Sequence, residues 1–145
     1  MSALSAPVRR FCKDILSQYP LLKKELKALE EEKQLIYEEV PVATWRNEVR
    51  IKAIGEAQSG KLFRLMRLEE QWREVAFYVR AVDDLLAYLE QIKPDYKRLV
   101  ELYFFEGKQA WQVAEELAIG ERTMYHWLRD ITRLFAHRLG LCSAG

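Results

Sequence analysis

The chain is poor in the residues that punctuate β structure. Its 145 residues include 6 Gly and 4 Pro, too few for the closely spaced turns of a sandwich or barrel. Its two cysteines, Cys12 and Cys142, stand near opposite ends with no CxxC pair. That excludes a disulfide framework and a zinc ribbon, and both cysteines read as free thiols in a reducing compartment. No run approaches eighteen apolar residues, and the opening "MSALSAPVRRFCKDILSQYP" lacks the apolar core of a secretory leader. A soluble, cytoplasmic protein is therefore expected. An excess of one charge is also missing. The formal net charge is +1, so any nucleic-acid surface must come from local distribution rather than from the total. GxSxG, a phosphate-cradling glycine loop and HExxH are all absent, and no enzyme is expected.

What remains is an apolar half of the composition spaced for helices, and the fold class read from it is all-α. Pro7, Pro20, Pro41 and Pro94 read as helix boundaries, because proline lacks a donor and restrains the residue before it. Between Leu21 and Val40, Leu22, Leu26, Leu29 and Ile36 follow helical spacing. Residues 41–60, "PVATWRNEVRIKAIGEAQSG", lose the period and read as a long, basic, partly mobile connection. From Lys61 to Ile92 the apolar positions Leu65, Leu68, Trp72, Val75, Val79, Val82, Leu86 and Leu89 alternate three and four apart, as heptad a and d residues do. Two uses fit this stripe: a hairpin with residues 21–40, or a homo-oligomer. Residues 1–93 thus read as a helical hairpin or coiled-coil oligomerisation region, and residues 94–145 as a second domain.

That second domain opens with a proline-capped helix carrying Tyr96, Leu99, Leu102 and Tyr103, which Gly107 stops. Gln109 to Leu117 forms the next helix, and Ala118-Ile119-Gly120 the turn into a third. Along the third, about 100° per residue sets Met124, Trp127, Leu128, Ile131, Leu134 and Phe135 on one side and Arg122, His126, Arg129 and Arg133 on the other. The charge reverses at the same place. Residues 94–121 hold three Lys/Arg against six Asp/Glu, and residues 122–138 hold four Arg against one Asp. Three short helices, the last two joined by a tight turn and the last bearing a cationic stripe, predict a helix-turn-helix that enters the major groove of double-stranded DNA. Ala118 stands where such turns often carry Gly. Arg122 and His126 are expected at base edges, with Thr123 beside them in the first turn; Tyr125 and Arg129 are expected at bases or phosphates, and Arg133 and Gln109 at phosphates.

Other readings carry less. His126 and His137 would lie about 16 Å apart on one helix, too far to share a metal ion, and no cofactor is implied. Trp72 and Trp127 fall on apolar stripes and read as core, whereas Trp45 is left open as a stacking platform. The pair Arg9-Arg10 reads as merely solvated.

The stretch "KRLVELYFFEGKQAWQVAEELAIGERTMYHWLRDITRLFAHRLGL", Lys97 to Leu141, resembles the fourth-region helix-turn-helix of sigma factors. Together with "ILSQYPLLKKELKALEEE", "PVATWRNEVRIKAIG" and "VRAVDDLLAYL", it resembles phage and prophage transcriptional regulators of the RinA/ArpU type. The resemblance implies control of phage late genes in a bacterial host, at its nucleoid, with RNA polymerase as a further partner. Gly120 replaces the usual Ser cap of the sigma pattern. A ring-forming small terminase for DNA packaging and a polymerase-binding module that hardly touches DNA are the alternatives.

Overall fold

The structure, a computed structural model, describes residues 4–39 and 56–141. Among them every regular element is helical: α1 (Ala6–Glu39), α2 (Glu56–Ile92), α3 (Pro94–Val100) running into a single π turn (Glu101–Phe105), α4 (Ala110–Glu116) and α5 (Glu121–Arg138). The all-α expectation holds. Trp45 and most of the 41–60 connection lie outside the described residues, but its last part does not read as expected, since α2 already begins at Glu56.

The prolines behave in two ways. Pro7 and Pro94 sit in the first turns of α1 and α3, where the missing N–H would have had no partner in the helix anyway. Pro20 contradicts its reading as a boundary, because α1 continues through it for 34 residues. Proline inside a helix deletes one backbone hydrogen bond and crowds the preceding turn, costing about 3 kcal/mol. Burial on both sides of it, by Cys12, Leu16 and Tyr19 before and Leu29 and Ile36 after, offsets that cost.

The chain divides into two compact units. Leu22–Phe77 is one. In it α1 and α2 run antiparallel, as a ladder of polar contacts records: Trp72 Nε1 donates to Glu30 at 3.2 Å, Lys33 meets Glu69 at 3.1 Å, Lys61 meets Glu39 at 3.1 Å, and Arg64 pairs with Glu32. Tyr37 donates to Glu69 at 2.6 Å. The exposed pairs among these, Lys61 with Glu39 and Arg64 with Glu32, add little energy each, but together the contacts set the register. Beneath them Leu29, Ile36, Leu62, Leu65, Leu68 and Val75 are buried.

The other unit combines the start of the chain through Leu21 with Tyr78 onward. Its core joins Cys12, Leu16 and Tyr19 of α1 and Val79, Val82, Leu85 and Leu89 of α2 to the three-helix segment that follows. Tyr19 ties these together, stacking on Phe105 at 4.9 Å between ring centroids and donating its hydroxyl to Asp83. Burial, with Asp83 beside it, pushes the Tyr19 phenol well above its usual range. Phe11 meets Tyr78 edge-on.

The heptad residues are thus consumed within the chain. Leu65, Leu68, Val75, Val79, Val82 and Leu89 are buried, and Trp72 and Leu86 half-buried. This is the intramolecular use of the stripe.

Candidate nucleic-acid interface

The helix-turn-helix begins with α3, whose Leu99 and Val100 are buried. The π turn closes when Glu106 N–H donates to the Glu101 carbonyl at 2.9 Å, and the widened turn keeps Leu102 and Phe104 buried as well. Gly107 then ends the segment at φ +69°, with Lys108 N–H reaching the Leu102 carbonyl at 3.1 Å. A left-handed backbone at this point favours glycine.

Gln109 caps α4 from an extended conformation. Its N–H donates to the Gln112 side chain at 3.1 Å, and its side-chain oxygen accepts from Trp111 Nε1 at 3.3 Å. The amide oxygen of the residue expected at a phosphate is therefore already engaged, on an exposed side chain. Val113 and Ala114 are buried. Lys108 is bridged to Glu116 at 2.6 Å, which raises its pKa.

The turn between α4 and α5 is a Schellman motif. Ile119 N–H donates to Ala114 O at 3.0 Å and Ala118 N–H to Glu115 O at 3.1 Å. Both bonds require a left-handed residue after the helix, and Ala118 supplies it at φ 56°. The sequence expectation of a turn here is met by a residue that carries a Cβ. Gly120 follows at φ −74°, ψ 156° and caps α5 without any side-chain bond.

On α5 the buried face is Met124, Leu128, Ile131, Thr132, Phe135 and Ala136. Trp127 and Leu134, expected inside, are only half-buried. The core face is therefore rotated toward Thr132 and Ala136. Thr132 is accommodated because its hydroxyl donates to Leu128 O at 2.7 Å. Trp127 lies against Tyr96 at 5.5 Å, with Lys93 Nζ 4.2 Å above its ring. Tyr96 donates to Asp130 at 2.9 Å. Burial, and then that bond, pushes the Tyr96 phenol up to about 12.

Arg122, Tyr125, His126 and Arg129 are exposed and Arg133 half-buried. At about 100° per residue these five fall within an arc of roughly 100°. Thr123, also exposed, lies about 110° from the centre of that arc and does not share it. Among the described residues Arg122 and Arg129 make no ion pair. The single Asp of α5 is turned away, toward Tyr96.

Two grooves border this arc. One, of about 620 Å³, is lined by Ser17, Tyr103, Lys108, Gln109, Trp111 and Tyr125 among others. Trp111 is 53% exposed and Tyr125 49%, so one aromatic from each helix of the motif faces solvent there. The other, of about 360 Å³, is lined by Leu4, Arg9 and Lys13 beside Tyr125, Leu128, Arg129, Thr132 and Arg133. The sequence reading missed Arg9 and Lys13. Their shared helical face was legible; the packing of α1 beside α5, across more than a hundred residues of chain, was not.

Among the described residues no group of three or more His, Cys, Asp or Glu is placed to hold a metal ion, and no helix is long and apolar enough to cross a membrane. The family model of the ECF sigma factor matches residues 46–138, more than half of the chain and nearly all of the helix-turn-helix. No curated protein and no solved structure matches the chain.

Proposed function

The chain belongs to the ECF sigma factor family, and on that premise we propose that it regulates transcription by reading duplex DNA with α5. The observation that carries this is the exposed arc of Arg122, His126 and Arg129, two arginines and a histidine, on the second helix of a helix-turn-helix, inside the family match. Arg122 lies in the first turn, which reaches deepest into the groove, so a bidentate contact to guanine is available to it. Tyr125, His126 and Arg129 follow along the same arc, and Gln109 serves a phosphate from the start of α4. RNA polymerase is the second partner that a sigma-like protein implies, and the cytoplasm its place. The RinA/ArpU resemblance refines the role to activation of phage or prophage late genes. Homo-oligomerisation would need a surface other than the heptad stripe, which the chain itself fills.

The test is selection of bound sequences from random duplexes, followed by binding of the enriched site. Arg122→Ala should cost roughly 1 to 3 kcal/mol on that site and relax base choice at one position. If it lowers affinity for enriched and random duplexes equally, α5 does not read sequence.

A further inference from the structure

The groove between α1 and α5 gathers four cations from opposite ends of the chain. Arg9 and Lys13 are one turn apart on α1, and Arg129 and Arg133 one turn apart on α5; Tyr125 and Thr132 complete the polar lining, and no carboxylate among the described residues lines the cleft. Each pair sets like charges at i, i+4, an arrangement that weakens a helix, and the packing of α1 then brings the two pairs to one cleft. Solubility does not require this, since charges on open faces serve it equally well.

We propose that this cleft is a phosphate clamp for duplex DNA, which makes α1 a second DNA-binding element beside the recognition helix. The inference rests on the DNA-binding reading given above. Three observations carry it. First, the cleft adjoins the exposed arc of α5 and shares Tyr125, Arg129 and Arg133 with it, so a strand flanking the groove that α5 enters would meet both walls. Second, the helix that carries the α1 cations is held in place. Cys12, Leu16 and Tyr19 on the adjoining face are buried, and Tyr19 is fixed by Phe105 and Asp83. A positioned cation gives up less freedom on binding than one on an unanchored arm. Third, the sign is wrong for masking. A helix that covered α5 to block DNA would present carboxylates to its arginines, whereas α1 presents Arg9 and Lys13. Phosphate contacts of this kind add affinity and orientation without adding sequence information.

The test uses the full chain with Arg9→Ala and Lys13→Ala combined, both sites being exposed and the fold being checked by circular dichroism. Affinity for the enriched site and for a random duplex is measured across salt concentration. Two lost phosphate contacts lower the slope of log K against log salt by about 1.8, so a fourfold rise in salt should cost the variant about tenfold less affinity than the wild type. Both duplexes should weaken by the same factor, with base preferences at every position unchanged. The charge-retaining exchange Arg9→Lys with Lys13→Arg should restore the slope. An unchanged slope in a variant whose parent binds duplex DNA overturns the clamp alone, and so does tighter binding by the variant, which would make α1 inhibitory. If the parent binds no duplex of either kind, the DNA-binding reading itself falls and the clamp with it.

Discussion

Ala118 makes the turn of the helix-turn-helix at φ 56° with a Cβ in place, and replacing it isolates the cost of that choice. A non-glycine residue in the left-handed region is disfavoured by roughly 1–2 kcal/mol, since its Cβ crowds the following carbonyl. Glycine removes the crowding but loses more freedom on folding, which returns about 0.4–1 kcal/mol. Ala118 is exposed, so little packing is forfeited. Ala118→Gly should therefore stabilise the unit by about 0.5–1 kcal/mol, or raise Tm by about 3–6 °C for a unit of this size. The chain supplies its own control. The end of α5 repeats the motif, with Leu141 N–H donating to Ala136 O at 2.9 Å and Gly140 N–H to His137 O at 3.0 Å. Here the left-handed residue is Gly140 at φ 73°, and a Cβ there would meet nothing within 4 Å. Gly140→Ala should thus lose what Ala118→Gly gains. Urea unfolding followed by tryptophan fluorescence reads both. A loss of stability in Ala118→Gly, or no change in Gly140→Ala, would show that the backbone conformation is not what sets the energy of these turns.

Trp127→Ala should cost about 2 kcal/mol, below the 3–5 kcal/mol of a fully buried Trp, because the ring is half-buried between Tyr96 and Lys93; a melting transition that vanishes altogether would place it in the core. Val82→Asp should unfold the chain rather than dissociate an oligomer, since Val82 is fully enclosed within it and a carboxylate there has no partner. Sedimentation showing folded monomers of this variant would restore the stripe to an intermolecular role. Tyr37, then Lys33, holds the Glu69 carboxyl below its usual pKa. Its contribution is present above the unfolded carboxyl range and is lost as pH falls through the depressed value, so Tyr37→Phe should flatten the acid limb of the stability profile; an unaltered limb would dismiss the contact.

The helix-turn-helix was legible because Leu99, Val113, Met124, Leu128 and Phe135 repeat at helical spacing and the turn residues interrupt it on cue. Thr132 and Ala136 escaped, since neither is a large apolar residue. Thr132 is buried only because its hydroxyl bonds to its own helix, which periodicity does not register. Pro20 misled for a sound local reason: its cost is intrinsic, while the burial that offsets it is tertiary. Arg9 suffered the same limit. Nothing near it in sequence announces Arg129 or Arg133, and a short basic pair reads as solvated until a neighbour arrives.

The stacking of Tyr19 on Phe105, and the cleft that α1 lines together with α5, also set an order of events during synthesis. The ribosome must add more than a hundred residues after Arg9 before Arg133 exists, which at about 5–20 residues per second takes several seconds. Throughout that interval the unit that carries α5 cannot close on itself. In a nascent chain the Arg9 and Lys13 wall of the cleft therefore waits for its α5 counterpart until Arg129 and Arg133 have been made.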